Sequence, residues 1–370
     1  LIVGADGIDP AATESFSSSV AIVESTVDVA NGFNIQTPGR ISIHVDNPEP
    51  VSSLTAASFT ITADNFVHDE SRALPADIGT ISADTIALGT SGDLIVDAHL
   101  VSTGSLNLFA PGLIDIADAT SGGDLTLLAG STIDGGTQTA AGLVSASAPG
   151  NITLGNVVAG ESIDIFSSGG DLALGFLSAG TFIDLEAAGD IGFGDTTADT
   201  LDFEAGGTVT GGDILAATFV TGEAGAAVQL GDISVGIQEA GGPTDDGFAV
   251  GIISATSITV GDVEADEAIG FATFGDLTAG DLNSGTGVMT LIGGDTTIAS
   301  ITTPGGGQVY HGDAQMFVDA GGLDDEFNPA EVLSQPPVQS GGSYTVTGAI
   351  TTGEVRVAAA AIATGDINAG

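Results

Sequence analysis

The chain has 370 residues, 57 of them glycine, with 42% hydrophobic residues, 5% aromatic residues and neither cysteine nor tryptophan. Arg40, Arg72 and Arg356 stand against 49 acids, a net charge of −46. That balance excludes nucleic acid and anionic membrane surfaces as direct partners, because both are held by Lys and Arg on phosphate, and the missing thiols exclude disulfides, thiolate metal sites and cysteine nucleophiles.

Hydrophobicity is too high for disorder, so the chain is expected to fold around small aliphatic side chains. No stretch reaches the ~18 consecutive apolar residues of a membrane-spanning helix. The charge suits a saline or calcium-containing exterior that screens it. Leu1 follows no basic or cleavable leader, so an export signal is expected to have been removed or to lie outside the sequence.

Residues 1–77 alternate apolar and polar residues in SVAIVESTVDVANGFNI, RISIHVD and SFTITADNFVHD, broken by Pro38, Pro48, Pro50 and Pro75. They read as irregular solenoid coils with long turns. From 78 to 303 a stricter grammar appears: GNITLGNVVAGESIDIFSSG, GDLALGFLSAGTFIDLEAA and GDIGFGDTTADTLDFEAG follow one another. Each carries three short runs, among them Ile152/Leu154, Val157 and Ile163/Ile165 in the first, and each opens on Gly-Asp or Gly-Asn. Three strands of four or five residues plus three turns make about 19 residues, one triangular coil. The expected fold is all-β, a right-handed parallel β-helix in which like side chains stack about 4.8 Å apart. Gly and Ala are expected at corners, where the backbone needs positive φ or close approach. An antiparallel sandwich competes, but it does not explain a constant period.

GIQEAGGPTDDGFAVG, around Gly236 to Gly251, lengthens one coil and reads as a protruding loop. Residues 304–342 form a larger excursion, in which Asn328-Pro329-Ala330-Glu331 has the N-cap, N1 and N3 residues of a short helix. Residues 343–370 resume the strand pattern and stop part-way through a coil. The chain therefore reads as a section of a longer protein.

Period two places Asp164, between Ile163 and Ile165, on the outside, with Asp184 and Asp202 doing the same in later coils. Two charges about 4.8 Å apart repel by about 0.9 kcal/mol in water. Four or five inward aliphatics per coil, at about 1.5 to 3 kcal/mol each, outweigh that. The acids read as a solvated face that keeps sheet edges from associating, with a cation-binding column as the sharper alternative. Asn107 and Arg356 occupy the same kind of site, against an obligatory ion ladder.

Catalytic signals are weak. A lyase acting on acidic polysaccharide needs basic residues to hold carboxylates and take a proton, and the arginines are far apart. The pairs Asp245/Asp246 and Asp324/Asp325 sit in Gly- and Pro-rich loops and read as turn residues rather than hydrolase acids. His44, His68, His99 and His311 match no metal spacing and read as surface residues. No catalytic, cofactor-binding or metal residue is assigned. No cofactor is required, although GDVEADE (261–267) and GGLDDE (321–326) carry enough oxygens to bind calcium loosely. Thr60-Ile61-Thr62, Thr208-Val209-Thr210 and Thr345-Val346-Thr347 are isolated, so the stacked threonine rows of an ice-binding face are not expected.

GNITLGNVVAGESIDIFSSGGDLALGFLSAG resembles the 19-residue β-solenoid repeats of filamentous haemagglutinin-type exoproteins and large autotransporter adhesins of Gram-negative bacteria. The resemblance covers about 78–303 best and implies a right-handed parallel β-helix on the outer cell surface, secreted for adhesion or matrix building and non-enzymatic. Its partners would be other cells, matrix or surface glycans, or copies of itself. The family's N-terminal secretion motifs are not visible in this sequence. The composition also looks like that of acidic, lysine-poor surface-layer proteins, which makes a self-assembling coat or filament subunit the alternative; a carbohydrate-active β-helix enzyme is the third class.

Overall fold

The computed structural model describes residues 2–3, 20–23, 27–36, 40–44, 53–63, 65–69, 80–90, 92–96, 98–236, 248–303, 307–316 and 335–369, with side chains from residue 81 onward. It divides into two compact units, Leu1–Thr181 and Phe182–Gly370. Each is a parallel β-solenoid, and the pairings of described strands within each unit run parallel, which rules out the antiparallel sandwich.

In the first unit one coil comprises Leu106–Ala110, Ile114–Ile116 and Ala119–Ser121, which lie on what we call the first, second and third faces. Leu106, Leu125, Val144 and Ile163 stack in register along the first face and are fully buried. On the third face Val157 pairs with Leu177, both buried, so the weakest of the three runs is also a strand. Alternation decides which side chains enter: Leu106–Ala110 reads buried, exposed, buried, exposed, buried. The pleat sends neighbours to opposite faces, and only the apolar set loses water on entering.

The early coils are longer. Ser53–Ala63 pairs with both Val27–Gln36 and Thr80–Thr90, the first with a register shift between Val29 and Gly32. Strands of 10 or 11 residues run through a corner there instead of stopping at it.

The second unit repeats the plan from Phe182–Ala187, which pairs residue for residue with Thr200–Ala205. Its shaft contains bulky aromatics, and the sequence compensates for them one coil later. Phe193 and Phe203 point inward with ring centroids 6.3 Å apart. Gly222 is in register with Phe203, and a Cβ on Gly222 or Gly211 would overlap the Phe203 or Phe193 ring. Close packing leaves no slack for that methyl. The corner glycines follow the same rule of close approach. Of the two reasons expected for corner glycine, close approach is the one seen at Gly122, Gly130 and Gly212, where a Cβ would overlap the coil before.

Past Phe248–Ser254, where Gly251 and Ile253 are half-buried, the first face is buried on both sides as far as Gln308–Gly312. Ala268–Thr273 and Gly287–Ile292 lose their alternation, with five consecutive buried residues in each. An outer cluster of Phe248, Ala272, Met289, Leu291, Tyr310 and Met316 covers that face. Phe248 folds over Gly270, where a Cβ would meet its ring. Met316 belongs to the start of the 304–342 excursion, which therefore packs against the solenoid at this end. The short helix expected at 328–331, and most of the loop expected at 236–251, lie outside the described residues.

Candidate functional site

The Gly-Asp starts of the repeat build a ladder along the solenoid corners. At the corner between the second and third faces of the second unit, Asp213 N–H donates to Asp195 Oδ1 at 3.1 Å, and Asp232 N–H to Asp213 Oδ1 at 2.9 Å. Asp262 N–H donates to Asp232 Oδ1 at 2.9 Å, Asp281 N–H to Asp262 Oδ1 at 2.8 Å, and Ser300 Oγ to Asp281 Oδ1 at 2.8 Å. The carboxylates of Asp195, Asp213, Asp232 and Asp262 thus each receive the amide of the acid one coil further on, and Asp281 receives a hydroxyl. The first unit uses the same device with less charge: Thr137 N–H donates to Asp118 at 2.6 Å, and Phe176 N–H to Asn156 at 3.0 Å.

The ladder explains the dipeptide. A corner amide points along the stack, out of the sheet ladder, and needs an acceptor. The Asp or Asn of the preceding coil supplies one, as an N-cap residue does for a helix. The glycine before the donor is needed because a Cβ there would overlap that same oxygen: Gly212 against Asp195, Gly231 against Asp213, Gly261 against Asp232, Gly280 against Asp262. The ladder tolerates coils of unequal length, since its rungs span 18, 19 and 30 residues.

A second corner, between the first and second faces, carries Asp276, Asp295 and Ser343. Asp295 N–H donates to Asp276 at 2.8 Å, and the Ser343 amide and hydroxyl donate to Asp295 Oδ1 at 2.8 and 2.9 Å. Those two donors hold the Asp295 carboxyl below its usual range, because they stabilise the charged form.

The outward columns are mixed. Asp184 pairs with Asp202, and Thr221 Oγ1 then donates to Asp202 Oδ1 at 2.8 Å. Glu186, Glu204 and Glu223 form a parallel column two residues on. Further along, these columns become Gly251, Gly270, Met289 and Tyr310, and Ile253, Ala272 and Leu291. The first face of this unit therefore turns from acidic to apolar where the excursion packs. In the first unit Asp164 is exposed and sits in register with Ser145, so its column carries no acid one coil below.

Of the residues weighed for chemistry, Asp245, Asp246, Asp324 and Asp325 lie outside the described residues, as does the GGLDDE stretch. In GDVEADE the acids diverge: Asp262 serves the corner ladder while Glu264 is exposed on the third face. No group of three or more metal-binding side chains occurs among the described residues. His44 and His68 lie on strands Arg40–His44 and Asn65–Asp69. His99 Nε2 lies 3.1 Å from Thr120 Oγ1. His311 is not the surface residue the sequence suggests but is fully buried. Arg356 pairs with Glu354 at 2.8 Å. Thr259, Thr278, Thr297 and Thr345 form a single stacked column on the second face, which Thr-x-Thr triplets in the sequence do not mark. Its neighbouring column is not threonine: Ala299 flanks Thr297 where Thr347 flanks Thr345.

The fold makes this chain a β-solenoid repeat protein, with stacked coils about 19 residues apart. Comparison with protein-family models, with curated proteins and with solved structures returns no match.

Proposed function

We propose that the chain is a secreted bacterial surface protein whose solenoid displays a repetitive acidic face for adhesion or fibre building, and that it is not an enzyme. The corner ladder is the observation that supports this best. It ties each coil to the next by a side chain-to-amide bond at the edge, in addition to the strand pairing, and so favours a stiff scaffold over a moving site. Each coil adds the same kind of outward position, so a binding surface grows by repetition. The resemblance of residues 150–180 to filamentous haemagglutinin-type repeats points to the outer surface of a Gram-negative bacterium. A saline exterior would screen the charge. Cells, matrix and surface glycans are the partners that chemistry allows.

A self-assembling coat or filament subunit is favoured by a different observation. On the outer first face of the first unit Phe109 and Leu128 stand in register, 50% and 45% exposed, with Ser147 and Phe166 continuing the column. Exposed aromatic and aliphatic neighbours suit lateral contact between copies.

The test is to coat beads with purified protein at physiological salt and measure retention on matrix and glycan surfaces, with electron micrographs of the free protein alongside. Saturable retention by dispersed particles supports the adhesin. Ordered arrays without retention support the coat subunit, and release of reducing or unsaturated sugars from a polysaccharide panel overturns the non-enzymatic reading.

A further inference from the structure

The inward column that starts at Leu185 is apolar until the later coils of the second unit, where polar residues replace the stack. The inward column Leu185, Phe203, Gly222, Ile252, Phe271 continues as Thr290 and His311. His311 Nδ1 lies 2.9 Å from Thr290 Oγ1, and its Nε2 lies 3.3 Å from Ser340 Oγ. The ring also stacks on Tyr344, with centroids 4.5 Å apart. One imidazole thus joins Gly287–Ile292 below to a later stretch distant in sequence, the limb 335–342 returning from the excursion and the strand Ser343–Val346 that continues it. Ser340 is itself buried, and it is the limb's contact with the ring.

We propose that His311 is an acid-sensitive latch: taking up a proton drives the imidazole out of the shaft and frees the limb 335–342 from the coils it closes. The chemistry around the ring favours this. Hydroxyls can serve a neutral imidazole from either side, since each is both donor and acceptor. They cannot compensate a buried positive charge. Tyr344 is the titratable group facing the ring, and it is not anionic at neutral pH. Along the neighbouring strand Glu354 and Arg356 pair with each other, Tyr310 points to the opposite side and donates to Met316 Sδ, and Asp313 accepts the Gln315 amide. Burial alone lowers the His311 pKa to about 4. An imidazole released into water titrates near 6.5. Acid therefore favours release: the neutral, buried form is fully stable above pH 6.5, and its advantage is lost as the pH falls from there towards 4.

With those two values, opening of the limb is about 30-fold more frequent at pH 5.0 than at pH 7.5. Amide hydrogen exchange across 308–316 and 335–346, corrected for the intrinsic pH effect, measures it in the whole chain. The wild type should show that rise, and His311→Gln, which keeps hydrogen-bonding groups without the titration, should show less than about a tenth of it. Equal responses in both proteins would overturn the latch. The unmodified protein gives an independent reading through the titration of its ¹³C-labelled histidines: a His311 midpoint near 4 supports the proposal, and one near 6.5 refutes it whether or not the variant folds.

Discussion

Replacing Asp232 separates the two things a corner acid does. Asp232 lies between Asp213 and Asp262 in the ladder: its own amide donates to the first and its carboxylate accepts from the second, both at 2.9 Å. Flanking charges about 4.8 Å away on each side repel it by about 1.7 kcal/mol in total in water, and physiological salt reduces this to about 1 kcal/mol. Asp232→Asn and Asp232→Ala both remove that repulsion. Only the alanine removes the acceptor, since asparagine fills the same role at Asn151 and Asn156. A hydrogen bond of this kind contributes about 1 kcal/mol net. Asn should therefore leave the second unit as stable as wild type or up to about 1 kcal/mol more stable, with Ala about 1 kcal/mol below Asn. The chain has no tryptophan and two tyrosines, Tyr310 and Tyr344, both in the second unit, so tyrosine fluorescence during urea unfolding reports that unit alone. The Asn–Ala gap should persist from low to high salt while the Asn gain over wild type shrinks. If the two variants unfold at the same urea concentration, the ladder is a geometric coincidence and not a stabilising element.

Gly222→Ala places a methyl against the Phe203 ring and should cost about 1 to 3 kcal/mol, with Phe203→Leu in the same chain recovering part of the loss; additive effects in a double-mutant cycle would contradict the stacking. Gln138 is buried in the shaft with no partner for Oε1, and the carbonyls its amide reaches, Ala117 and Gly136, also accept backbone amides. Gln138→Leu should therefore stabilise the first unit by about 1 kcal/mol, read as a higher midpoint in urea by circular dichroism. Tyr344 is buried and its hydroxyl has no partner, so burial pushes its pKa up. The contribution of a neutral Tyr344 is fully present below pH 10 and is lost as the pH rises further, because the unfolded chain then releases the proton that the folded one keeps. Tyr344→Phe should flatten that alkaline loss in thermal melts. Sodium chloride should raise the melting temperature most steeply at low ionic strength; a flat response would mean that the outward acids do not repel one another.

Much of this molecule can be read from its residues because a solenoid is local. Apolar residues two apart mark the inward positions, Gly and Asp mark corners, and recurrence near 19 residues puts like on like. Ile163 and Ile165 could be placed inside, and Asp164 outside, before any coordinate was known. What the period could not tell was which corner acid touches which amide. The Asp232–Asp262 rung spans 30 residues because an insertion lies between them, and only the stack brings the two together. The Gly-Asp pairs mark where each repeat opens, but a sequence shows their charge and not the amide waiting one coil away. The inversion of the late coils was also tertiary in origin. In Gly287–Ile292 only Thr290 interrupts an apolar run that signals burial on both sides, yet nothing local says that the outer cover includes Met316, or that His311 takes a place within the shaft. Alternation and turn chemistry act over a few residues and are written in the chain. Contacts made by an excursion folding back depend on where the whole stack has placed its faces, and that is decided only when the coils are packed.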